Sequence, residues 1–132
     1  MQDKPAAPVL AAAVAHFLRE ELLPLQSDAR MKFRLRVALN ALGMLEREAR
    51  GGDPALLGEV TRLAAHLGCD VPALPLREAA LQLNTLLAAR LRVGDVPDGT
   101  LDLLLVLSRA KLAIASPGAL RRYEAALTET NA

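Results

Sequence analysis

An all-α fold, arranged as a compact bundle of five to six helices, is predicted by three features of this 132-residue sequence. Leu (28) and Ala (25), both strong helix formers, fill 53 positions. The residues that strands prefer are scarce: Val, Ile and Thr together number 14, with two Phe, one Tyr and no Trp. Glycine and proline recur between the apolar stretches as stop and start signals. A chain of this mass exposes about 6,700 Å² when folded and about 20,000 Å² when unfolded, enough burial for one core, so residues 1–132 are expected to form a single domain.

The first helix is expected from about Ala6 to Leu23, stopped by Pro24. At 100° per residue Leu10, Val14, Phe17, Leu18 and Leu22 share an arc that excludes Arg19 and Glu20. Asp28 is suited to cap the second helix, which Gly51-Gly52 should end. Asp53-Pro54, a cap followed by proline at the first helical position, opens the third, with Leu56, Leu57, Val60, Leu63, Ala64 and Leu67 on one face and Gly68 at its end.

After the Pro-containing link from Cys69 to Pro75, the fourth helix runs to about Arg92, with Leu76, Leu83, Leu87 and Leu91 on its face. Turn residues from Gly94 to Gly99 follow, and Thr100 is placed to cap the fifth helix, Leu101 to Ala115. Ser116-Pro117 opens a short sixth helix carrying Leu120, Tyr123 and Leu127.

Two helices are expected to lie centrally. The fifth is apolar nearly all round, with Asp102 and Arg109 as its charged seam. The second has two apolar arcs, one of Met31, Leu35, Leu42 and Leu45, the other of Phe33, Val37, Ala41 and Met44. A helix touching neighbours on two sides reads this way.

Charge and cysteine content bound the setting. Sixteen Lys+Arg balance fifteen Asp+Glu to a net +1, too even for a dedicated nucleic-acid binder. In Arg30-Met31-Lys32-Phe33-Arg34-Leu35-Arg36 the cations fall on two sides of a helix, so solvated charges are expected there, not a nucleic-acid stripe. One cysteine, Cys69, excludes an internal disulfide and fits a reducing cytoplasm. The apolar run Ala6 to Ala15 does not read as a signal peptide, because Asp3 spoils a positive leader and the run continues into a charged helix end. No apolar stretch reaches the ~18 residues of a membrane span. A cytoplasmic protein without membrane or nucleic-acid partners is the expectation.

Catalytic and metal constellations are thin. No nucleophile elbow, phosphate loop, dinucleotide fingerprint or His-Glu-x-x-His occurs, so neither enzyme activity nor a cofactor is expected. His66, Cys69 and Asp70 cluster in sequence, yet His16 is the only further His, and His66 is better read as an exposed helix-end residue beside Glu59 and Arg62.

Polar groups that point inward are the exception. Glu21 falls within the first helix's apolar arc, Asn40 among the apolar residues of the second helix, and Lys111 between Leu104 and Leu107. A carboxylate stripped of water needs a cation, so Glu21 is expected to be at least half buried and paired with Arg30, Arg34, Arg36 or Lys111. The candidate buried polar cluster is thus Glu21, Arg34, Arg36, Asn40 and Lys111. It reads either as an internal ion pair that sets helix register or as a polar-lined docking site or pocket.

Several segments carry a resemblance: Asp3-Lys4-Pro5, Phe17-Leu18-Arg19-Glu20-Glu21-Leu22-Leu23-Pro24, Phe33 with Arg36-Val37-Ala38-Leu39-Asn40-Ala41-Leu42, Arg47-Glu48, and Lys111-Leu112-Ala113-Ile114 with Pro117. In these the chain resembles a family of small bacterial helical proteins described as a domain of unknown function. The family has Arg-Tyr after the last proline, where this chain has Gly118-Ala119. Genes of that family often neighbour aminoglycoside-phosphotransferase-like kinases and acyl-CoA dehydrogenases. The resemblance therefore implies an accessory role beside such enzymes and supplies no catalytic residues.

Leaving out Tyr123 and adding the 8 Gly to the hydrophobic residues makes 76 of 132 apolar, about 58% against the usual ~45–50%. The excess points to surface covered by another chain. The expected function is a non-enzymatic interaction protein, either a homodimer or docked on a phosphotransferase-like or acyl-CoA-dehydrogenase-like partner. The alternative is a small module binding an acyl or acyl-CoA-type ligand.

Overall fold

A computed structural model describes residues 4–130. They form five α-helices and no strand: α1 (Ala7–Phe17), α2 (Ala29–Leu67), α3 (Leu76–Arg92), α4 (Thr100–Ala115) and α5 (Pro117–Thr130). The all-α class follows from the composition. The chain divides into two compact units at the Gly52–Asp53 bond.

In the first unit, α1 does not run on to Leu23 as expected. It passes into a π-turn, Leu18–Leu22, and a 3₁₀ turn, Leu23–Leu25. The amide of Leu23 donates to the carbonyl of Leu18, one residue beyond the α-helical partner. The buried face of α1 is Ala11 and Ala15, while Val9, Leu10, Val14 and Phe17 are exposed. Of the arc expected to face inward, Leu10, Val14 and Phe17 are thus exposed, and only Leu18 and Leu22 are half-buried. Helical periodicity ranks residues by hydrophobicity, whereas close approach here selects the small side chains.

Asp28 starts α2 as expected: its Oδ1 accepts from the Arg30 amide at 3.0 Å and its carbonyl from the Lys32 amide at 3.0 Å. The expected stop at Gly51-Gly52 and restart at Asp53-Pro54 do not occur. One 39-residue helix replaces the second and third helices, with Pro54 inside it. Neither Gly51 nor Gly52 has the positive φ of a terminating glycine. The interruption is expensive, since an interior proline costs about 3 kcal/mol and each glycine about 1 kcal/mol relative to alanine. The helix ends where expected: Gly68, at φ 67°, donates to Ala65 O, and the Cys69 amide donates to Ala64 O.

The second unit holds the core. Val60, Leu63 and Ala64 of α2 pack with Ala79, Ala80, Leu83 and Leu87 of α3 and with Leu107 of α4, and Leu56, Leu67, Leu76, Leu91 and Leu103 close around them. The expected faces of the third and fourth helices are borne out, except that Leu57 is exposed. Expected burial of the fifth helix (α4) on all sides is not observed. Leu107 is its only buried apolar side chain, while Leu101 is 70% exposed and Leu104, Leu105 and Val106 are also exposed. α5 opens with Pro117, and the Arg109 guanidinium lies 6.0 Å from the Tyr123 ring centroid, joining α4 to α5. Among the described residues no helix is long and apolar enough to cross a membrane.

Candidate functional site

The polar cluster of the second unit is built on Glu59, which sequence reasoning placed on the solvent side. Glu59 is buried at the edge of the α2 core face, four residues before Leu63. Its Oε1 accepts a hydrogen bond from Asn84 Nδ2 of α3 and an ion-paired contact from Lys111 Nζ of α4, each at 2.8 Å. Asn84 Nδ2 also donates to the Ala80 carbonyl at 2.8 Å, which fixes the amide's orientation. One carboxylate oxygen thus ties three helices together, and no buried side-chain polar atom among the described residues lacks a partner.

This corrects the expected cluster. Glu21, Arg34, Arg36 and Asn40 are all exposed, and Glu21 has no ion pair among the described residues. Only Lys111 meets a carboxylate, and that carboxylate is Glu59. The π-turn gives Glu21 a different azimuth from the one that 100° per residue assigns, and Leu10, Val14 and Phe17 of the arc it was read into are themselves exposed. The legible sign of Glu59 was its spacing: it lies between Leu56 and Leu63 at helical three- and four-residue intervals, within reach of the core stripe.

A second polar contact lies in the same unit. His66 Nε2 is 2.8 Å from Thr100 Oγ1, and the Thr100 hydroxyl donates to the Pro97 carbonyl at 2.6 Å. That hydroxyl proton is already committed to Pro97, so His66 is the donor to the Thr100 oxygen, through Nε2–H. His66 is therefore half-buried and partnered, contrary to the exposed reading. Thr100 does not cap the helix: Gly99, at φ 78°, takes the cap position, and Thr100 is the buried first residue.

The first unit presents the opposite chemistry. Between residues 4 and 52 the only buried side chains are Ala11 and Ala15. On α2, Phe33 is 66% exposed, Val37 51% and Met44 42%, and with Ala41 they form one apolar stripe. This is one of the two arcs read from the sequence, and the stripe faces solvent. The Arg30 and Arg34 side chains are exposed beside it.

No curated protein and no solved structure matches the chain. The family match starts in the segment before α2 and ends in the first turn of α5, taking in the apolar stripe and all three residues of the Glu59 cluster. Of the segments quoted for the resemblance, those from Phe33 to Pro117 fall within it, Phe17 to Pro24 precede it, and Asp3 lies outside the described residues. Because the match to residues 25–119 covers well over half of the sequence, the chain belongs to the family described as Domain of unknown function (DUF6285).

Proposed function

We propose that this chain is a non-enzymatic interaction protein that self-associates through the apolar stripe of Phe33, Val37, Ala41 and Met44. The observation that carries this reading is the contrast between the units. The second buries a core of leucines, whereas the first buries nothing larger than alanine. A helical unit with so little buried area is not self-sufficient, because helices in water draw most of their stability from packing an apolar face. Each apolar Å² removed from water contributes about 25 cal/mol, so covering the stripe is favourable. A second copy supplies a matching surface, since a two-fold axis needs only one self-complementary patch. The Glu59 cluster acts in this reading as a structural clamp, with its carboxylate already committed to two donors.

Light scattering of the pure protein tests the proposal. A dimer is expected at micromolar concentration, and the double variant F33D/V37D should be monomeric with unchanged helicity. A monomeric wild type that captures neither a phosphotransferase-like nor an acyl-CoA-dehydrogenase-like partner in co-purification would sink the reading. A monomer whose melting temperature rises with long-chain acyl-CoA would favour the ligand-binding alternative instead.

A further inference from the structure

α2 passes through Gly51-Gly52-Asp53-Pro54, four residues that together make a complete helix stop and a complete helix start. None of them plays that part in the continuous helix. Gly51 and Gly52 keep right-handed backbone, although only glycine takes the left-handed terminating position freely. Pro54 has no N–H for the Arg50 carbonyl, and its ring crowds that carbonyl.

Three further observations single out the same place. A Cβ on Gly51 would meet nothing within 4 Å, so no side chain packs there to hold the backbone. The boundary between the compact units is the Gly52–Asp53 bond. All buried residues of α2, namely Glu59, Val60, Leu63 and Ala64, lie beyond it, so core packing anchors the helix on one side only.

We infer that residues 51–54 are a two-state hinge, at which α2 exchanges between the continuous helix and a broken form. In the broken form a glycine ends the first segment in the left-handed conformation, Asp53 caps the second, and Pro54 takes its first helical position. Each residue then occupies the site its chemistry favours. Pro54 has already removed one rung of the ladder, so breaking here releases one hydrogen bond fewer than in an uninterrupted helix. The stripe of Phe33, Val37 and Met44 lies on the side of the hinge that holds none of α2's buried residues.

Spin labels at the exposed positions Arg36 and Thr61 (R36C/T61C) test the hinge, with the exposed Cys69 replaced by Ser. Labelled protein is diluted into excess unlabelled protein, so that distances are intramolecular whatever the state of association. The two sites are 25 residues apart, which a continuous helix separates by about 37 Å. The expected distribution holds this distance together with a shorter population, and G51A/G52A/P54A should leave the ~37 Å distance alone. A single ~37 Å population with the native hinge, or a shorter one that persists in the triple variant, overturns the hinge. Amide exchange reads the same opening without substitutions. The amides of Ala55 and Leu56 should exchange at least roughly tenfold faster than that of Leu63, and equal protection would overturn the proposal.

Discussion

The Lys111 ammonium lies 2.8 Å from Glu59 Oε1 and joins α4 to α2 through a carboxylate that is only 10% exposed, while the lysine itself is 59% exposed. The asymmetry decides which substitution is costly. Lys111→Met leaves a buried carboxylate with Asn84 as its one donor, and a loss of about 1–3 kcal/mol is expected, between the values for surface and buried pairs. Glu59→Gln keeps an acceptor for both donors and should cost less than Lys111→Met. Urea unfolding of both variants checks this, and a Lys111→Met midpoint equal to wild type would show that the contact contributes nothing.

Leu83 is fully buried at the centre of the second unit, whereas Leu81, two residues earlier on the same helix, is largely exposed. Leu83→Ala should cost about 3–5 kcal/mol through lost transfer energy and the cavity left behind. Leu81→Ala should fall within about 0.5 kcal/mol of wild type. Similar losses from the two would mean that α3 does not present this face to the core.

Thr100 serves His66 and Pro97 with one hydroxyl. Thr100→Val keeps the shape and the backbone amide's bond to the Pro97 carbonyl, but leaves the His66 Nε2–H without its acceptor, with an expected cost of about 1–3 kcal/mol. Thr100→Ser should restore most of that loss. NMR of the His66 ring should show a proton on Nε2 in the wild type, and a ring with no proton on Nε2 would reverse the assignment.

Glu21, exposed and on a π-turn, should tolerate Glu21→Ala with a change below about 0.5 kcal/mol, as should its neighbour Glu20. A loss of about 2–4 kcal/mol at Glu21 alone, measured by thermal or urea unfolding, would bring back the buried ion pair that the helical wheel had placed there.

What was legible in the sequence is local. Leu and Ala content sets the helical class, Asp28 caps α2 through its own side chain, Gly68 ends that helix, and the spacing of Leu76, Leu83, Leu87 and Leu91 marks the inner face of α3. Each of these depends on a few neighbouring residues and on helix geometry alone. Lys111 was legible too as a charge beside apolar positions, but its partner was not, because Glu59 lies 52 residues away in sequence and only the packing of α2, α3 and α4 brings the two together. Tertiary structure also decided which face of α1 is buried, favouring Ala11 and Ala15 over larger neighbours, since close packing selects for size and fit where periodicity reads only hydrophobicity. It decided as well that α2 continues through Gly51-Gly52-Asp53-Pro54. Caps and breakers are local preferences of about one to three kcal/mol, and such preferences set the possible ends of a helix without choosing among them.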